Sequence, residues 1–167
     1  VDLNDASPPP DIDDANLYSE GGDSSAIGTS ISVSDADAGD TISSATVTLY
    51  DPEAGDLLSA NLPLPGGITI DAVNSTASIL ILIGIASAAD YAAALGQVGF
   101  GSSSEDPTNN GTAPSRTITW TVTDANSDGV GAQTSAPASS TINLTAVNDA
   151  PVITGDLGIT VAKGDPV

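Results

Sequence analysis

The sequence predicts an all-β protein, a sandwich of about seven or eight short strands with one short helix. Three observations lead there. Apolar and hydroxyl side chains alternate with a period of two, most clearly where Ile118, Trp120 and Val122 are interleaved with Thr117, Thr119, Thr121 and Thr123, the pattern of half-buried strands. Clusters of Gly, Pro, Asp and Asn separate these stretches and read as turns. The 167 residues suffice for one hydrophobic core of ordinary size.

Taken in order, the alternation places strands at Ile27, Thr29, Ile31 and Val33 and again at Ala45, Val47 and Leu49, followed by strands over 68–73, 79–83, 98–100, 117–123 and 141–147. The segment 87–96 is different. It is rich in Ala, has Ser87 placed to cap a helix with Asp90 at the third helical position, and stops at Gly96. A short helix there would pack Tyr91 and Leu95 over one end of the sandwich. Residues 101–115 and 130–139 read as surface loops. A net charge of −20 with five aromatic residues is the composition of a disordered chain. The β-branched alternation argues for a packed core instead, with Trp120 and Phe100 inside it.

The charge excludes several function classes. Twenty-two acids face only Arg116 and Lys163, so a phosphate backbone or an anionic membrane surface would be repelled. The chain lacks His, Cys and Met, which removes His-based general bases, thiol nucleophiles and zinc sites. No apolar run approaches the length of a membrane span. An enzyme is not expected, since no pair of carboxylates is singled out for glycosidase chemistry.

An internal repeat sets the expected boundaries. Asn4-Asp5-Ala6-Ser7-Pro8 recurs as Asn148-Asp149-Ala150-Pro151, and Glu20-Gly21 has its counterpart in Lys163-Gly164, 143 residues further on. A period of that size is a domain repeat. It implies a linker from a preceding repeat over 1–8, one sandwich repeat over 9–146, and the next linker with a partial first strand over 147–167. The opening Val1-Asp2-Leu3 reads as the middle of a longer polypeptide.

Nineteen of the acids are Asp, and the three glutamates are Glu20, Glu53 and Glu105. A merely solubilising surface would use Glu freely, whereas Asp beside turns can converge with backbone carbonyls on a hard cation. Calcium, with six to eight oxygen ligands and tolerant geometry, suits such loops. Asp35-Ala36-Asp37 follows directly on an expected strand, at one end of the sandwich. Asp124-Ala125-Asn126-Ser127-Asp128-Gly129 has the spacing of the first half of an EF-hand loop, but Ser135 stands where the bidentate Glu belongs. It reads as a hairpin loop, with an isolated weak calcium site as the other reading.

Several motifs together carry a resemblance. Asp2-Leu3-Asn4-Asp5-Ala6-Ser7-Pro8 resembles the cadherin linker Asp-x-Asn-Asp-x-x-Pro, and Asp35-Ala36-Asp37 lies about thirty residues beyond it, as the cadherin Asp-x-Asp motif does. Tyr18-Ser19-Glu20-Gly21, Val33-Ser34-Asp35-Ala36-Asp37, Ala89-Asp90-Tyr91, the stretch from Arg116 to Asp124, and Thr145-Ala146-Val147-Asn148-Asp149-Ala150-Pro151 are similar to the cadherin-like tandem repeats of large bacterial surface adhesins, including those with RTX-type secretion. The resemblance implies an immunoglobulin-like or cadherin-like Greek-key sandwich, with Ca2+ at the joints between repeats. Carried over by residue, Asp2, Asn4 and Asp5 meet Asp35 and Asp37 at the N-terminal joint, while Glu20 joins Asn148 and Asp149 at the C-terminal one. Asp90 takes the place of the acid in the cadherin Leu-Asp-Arg-Glu segment, without the Arg and Glu that follow there. Asp124 fits the site at either end.

The two joints differ, since Ala146 stands where the first has Asp2, and Lys163 replaces the Glu20 equivalent in the following unit. The implied function is a calcium-stiffened extender repeat of an extracellular adhesin on a bacterial cell surface, monomeric, whose partners are neighbouring repeats, in cell adhesion or biofilm formation. The alternative is a glycan- or protein-binding sandwich module of a secreted protein, for which outward-facing Tyr50 is the one aromatic platform.

Overall fold

The computed structural model describes residues 15–28, 30–35, 39–126, 129 and 131–155. Among these residues nine strands form two sheets, accompanied by one α-helix and a 3-10 turn over Pro65–Gly67. The strands are β1 (Ala15–Ser19), β2 (Ser25–Ala26), β3 (Ile42–Tyr50), β4 (Asp56–Ala60), β5 (Thr69–Ile70), β6 (Ile79–Ala86), β7 (Val98–Ser102), β8 (Ser115–Asp124) and β9 (Ala138–Thr145), and the helix is α1 (Ala88–Leu95). The larger sheet has the order β1-β9-β8-β3-β6-β5 and the smaller one β2-β7-β4. All pairings are antiparallel except that of β1 with β9, which is parallel. The expected all-β sandwich with one short helix is therefore the fold.

Alternation decides which side chains meet between the sheets. Ala45, Val47 and Leu49 of β3, Leu80 and Leu82 of β6, Ile118 and Trp120 of β8, and Ile142 and Leu144 of β9 point inward from the larger sheet. Leu58 of β4 and Val98 and Phe100 of β7 meet them from the smaller one. The apolar run 79–83 obeys the same rule, with Leu80 and Leu82 buried while Ile83 and Ile85 face outward. Tyr18 fastens the two sheets, its ring edge-on to Phe100 at 5.3 Å and its hydroxyl donating to Ser102 O at 2.7 Å. Trp120 is fully buried and its indole N–H donates to Ser140 Oγ at 3.0 Å, which satisfies the one polar atom that would otherwise oppose its burial.

Helix α1 forms as its sequence dictates. Ser87 Oγ accepts from Asp90 N at 3.1 Å and donates to the Asp90 carboxylate at 2.7 Å, so cap and acid satisfy each other. Its Tyr91, Ala94 and Leu95 enter the core. Tyr91 donates to Gly84 O at 2.7 Å. Gly84 has φ of +136° and its missing Cβ would meet Gly67 O and Ile68 Cα at 3.3 Å, so the neighbouring chain packs against bare backbone there.

Three expectations differ from the structure. The stretch with Ile27, Ile31 and Val33 buries its apolar side chains, yet only Ser25–Ala26 pairs as a strand. A Cβ on Gly28 would overlap Ile31 Cδ1, so the chain folds back on itself where the ladder would continue. The strand expected over 68–73 ends at Ile70, because Asp71 Oδ1 accepts from Val73 N and Asn74 N and turns the chain. Neither β1 nor β4, which carries adjacent leucines rather than an alternating run, was among the expected strands.

Two measurements test this packing. Trp120→Ala should cost about 3–5 kcal/mol by urea denaturation, from lost burial and the cavity left behind. Burial pushes the Tyr91 phenol from its ordinary 10.0 up to about 12, so the fold favours its neutral form. The stability this provides is complete below pH 10 and is lost as pH rises from there through about 12. Tyr91→Phe should flatten that alkaline loss relative to the native chain in urea midpoints at pH 9 and pH 11.

Candidate cation sites at the two ends of the sandwich

The strand register gives the sandwich two distinct ends. At one, Ile42 pairs with Asp124 and with Ala86; at the other, Tyr50 pairs with Thr117, Ser115 pairs with Asn143, and β9 runs out at Thr145. Among the described residues the exposed acids lie outside the strand interiors, where positions are filled by apolar, hydroxyl and small side chains.

At the Thr145 end, the parallel ladder of β1 and β9 continues one step, with Glu20 N donating to Thr145 O at 2.9 Å. This fixes Glu20 beside the chain that leaves the sandwich. Glu20 Oε2 accepts from Val147 N at 2.7 Å, tying the first residues of the exit segment to β1. Its other oxygen, Oε1, is buried and has no hydrogen-bond partner. Carboxylate oxygens of Glu105 and Asp149 converge on Glu20, all three lying within 4.8 Å of one another. Like charges at that separation repel by about 1 to 4 kcal/mol per pair, depending on effective dielectric. A buried carboxylate oxygen without a donor and two exposed carboxylates beside it fit a hard, oxygen-seeking cation such as Ca2+.

Glu105 is placed by the loop between β7 and β8. This loop lies at the surface, as read from the sequence, with most of its residues exposed or half-buried, and is anchored by buried Pro107 and Thr108. Asp106 organises its interior, one carboxylate oxygen accepting from Thr108 Oγ1 at 3.0 Å and the other from Asn110 N at 2.7 Å. At its base Arg116, 2% exposed, donates from Nε to Asp56 Oδ2 at 2.7 Å, from NH2 to Pro107 O at 2.8 Å, and from NH1 to Ala113 O at 2.9 Å and Ser115 O at 3.1 Å. Asp56 is itself buried, and its Oδ2 also accepts from Glu53 N at 2.9 Å.

At the Ile42 end, Asp35 and Asp124 line one hollow of about 240 Å³ with Ser34, Ile42, Val122, Gln133, Thr134 and Ser135. Asp124, which the sequence left open between the two ends, belongs here. Both of its carboxylate oxygens are engaged by the loop that follows, Oδ1 by Asn126 N at 2.7 Å and Oδ2 by Gln133 N at 2.8 Å. Thr123 bridges to Thr134 on the return, and Ser127 and Asp128 of this segment lie outside the described residues. Asp90 stands in the first turn of the helix that follows β6 on this same side, its carboxylate accepting from the capping Ser87 hydroxyl.

The expected residues are thus partly brought together. Glu20 and Asp149 converge at one end, with Asn148 exposed beside Asp149, and Asp35 and Asp124 share the hollow at the other. Asp2, Asn4, Asp5 and Asp37 lie outside the described residues, as does Lys163. Sequence reasoning missed Glu105 and the Asp56–Arg116 pair. The scarcity of glutamate was the available signal: of three in the chain, two meet at one point, where the longer side chain spans the gap between loops. No family model, no curated protein and no solved structure matches this chain.

Two substitutions separate the roles of these acids. Asp56→Ala strands a buried guanidinium and should cost about 3–5 kcal/mol in urea denaturation. Asp124→Ala frees Asn126 N and Gln133 N, and should raise amide exchange over 125–133 while leaving exchange at Val147 unchanged.

Proposed function

We propose that this chain is a structural extender repeat of a bacterial cell-surface adhesin, a sandwich stiffened by Ca2+ that projects a distal ligand-binding region in cell adhesion or biofilm formation. The observation that carries the proposal is the convergence of Glu20, Glu105 and Asp149 where the chain leaves the sandwich. Glu20 contributes one oxygen to the exit segment and keeps the other for a cation. Glu105 comes from the loop between β7 and β8, and Asp149 from the exit segment itself. A cation held by all three links sandwich to linker and replaces mutual repulsion by attraction. The Asn-Asp-Ala-Pro recurrence makes that linker a joint to a following repeat, and the hollow with Asp35 and Asp124 supports a corresponding joint at the opposite end. Extracellular calcium modules bind with dissociation constants of about 10⁻⁴ to 10⁻³ M, which fits a rod that stiffens outside the cell and stays slack within it.

A second reading has one observation in its favour. Tyr50 is 55% exposed on the outer face of the larger sheet, in a row with Thr117 and Thr141. A hydroxyl-rich face with one aromatic suits a neutral glycan, and a glycan array probed with this chain would reveal it.

The deciding experiment is a thermal melt in excess EDTA, in millimolar Ca2+ and in millimolar Mg2+. At a hundredfold excess over the dissociation constant, Ca2+ should add about 2.7 kcal/mol, a rise of about 5–10 °C for a domain of this size. Glu20→Gln with Asp149→Asn should abolish the rise. A melt indifferent to Ca2+ removes the extender reading and leaves a self-sufficient acidic sandwich.

A further inference from the structure

Arg116 is one of two basic residues in the chain, and it is turned away from the many exposed acids into a buried position at the root of the loop that carries Glu105. Its guanidinium uses one nitrogen for Asp56 and spreads the other two over three carbonyls, those of Pro107 and Ala113 in the loop and of Ser115 at the start of β8. We infer that the Arg116–Asp56 pair is the positioning device of the joint, a clamp that fixes the 103–113 loop so that the Glu105 carboxylate stands against Glu20 and Asp149. The inference rests on reading that end of the sandwich as a cation site.

The chemistry favours Arg for this task. A planar fork with five N–H donors can hold a carboxylate and several carbonyls at fixed angles, whereas a lysine ammonium presents a compact point with three donors. Asp56 is anchored independently, at the start of β4 opposite Ser102 and against Glu53 N. The clamp therefore refers the loop to the smaller sheet, while β8, which carries Arg116, belongs to the larger one. Glu20 is fixed by the β1–β9 ladder. Glu105 and Glu20, on separate elements, are held in register through buried side-chain bonds at one and backbone bonds at the other. Without the clamp, repulsion among three carboxylates would push the exposed Glu105 outward, and a cation would have to gather the loop as it bound.

The test is calcium titration calorimetry on the full chain, paired with melts in EDTA. R116K keeps the charge and loses the fork. The double variant D56L/R116M replaces the buried pair by apolar side chains of similar size, an exchange that often preserves or raises stability, and it keeps the test open where R116K does not fold. I27V, in the core beside Val98 at the end of β7 opposite the loop, serves as a control for general destabilisation. The expected result is that both clamp variants bind Ca2+ at least tenfold more weakly, with D56L/R116M melting in EDTA close to the native chain and I27V binding as the native chain does. Native affinity in a folded clamp variant overturns the clamp and spares the cation site. Absence of calcium binding by the native chain overturns the cation site itself, and the inference with it.

Discussion

Twenty-two acids against two basic residues impose the constraint that organises this molecule. With so few cations available for pairing, carboxylates cannot be distributed over the strands at tolerable repulsion or buried without a partner. The described strands are accordingly built almost entirely from apolar, hydroxyl and small side chains, and the described acids lie in loops, in the first turn of the helix or at strand ends. Charge density in the loops follows from keeping charge out of the sheets. One acid, Asp56, is taken inside, and Arg116 goes with it.

The sheets supply the rigidity against which the ends are defined. Tyr18 and Phe100 meet across the sandwich, Trp120 fills its centre and satisfies its N–H on Ser140, and α1 closes the Ile42 end with Tyr91 and Leu95. Tyr18, Trp120 and Tyr91 each have their polar atom bonded to a fixed partner, so the core specifies orientation as well as burying area. A segment leaving such a body inherits its direction from the last bonded residues, here Glu20 N to Thr145 O and Glu20 Oε2 to Val147 N. A carboxylate cluster at that point acts on the joint with little intervening chain.

Local hydrogen bonding explains four further acids. Asp71 turns the chain after β5, Asp106 knits the loop that carries Glu105, Asp90 completes a helix cap, and Asp124 holds the Gln133 amide. The Asn74 side chain and the Val73 and Asn74 amides hold the Asp71 carboxyl below its ordinary value. Short carboxylates reach backbone amides two or three residues away, which is the physical reason this chain uses Asp so heavily in its turns. Glutamate reaches further, and Glu20 and Glu105 are the two that extend from one element to another.

The sequence by itself determined the all-β class, the helix with its Ser87 cap, the buried faces of β3 and β8, and the loops where charge would collect. Each of these depends on residues adjacent in the chain, through alternation or capping, and so can be read from order alone. It also singled out Glu20 and Asp149 through their place in a recurring segment. Tertiary structure alone decided that Glu105 joins them, that Asp124 belongs with Asp35 at the other end, and that Arg116 finds Asp56. It also decided where ladders stop, at Ala26 where Ile31 folds over Gly28 and at Ile70 where Asp71 captures two amides. Those outcomes depend on contacts between segments far apart in sequence, or on competition between a strand and a turn. Local pattern carries no record of which neighbour the folded chain will bring alongside.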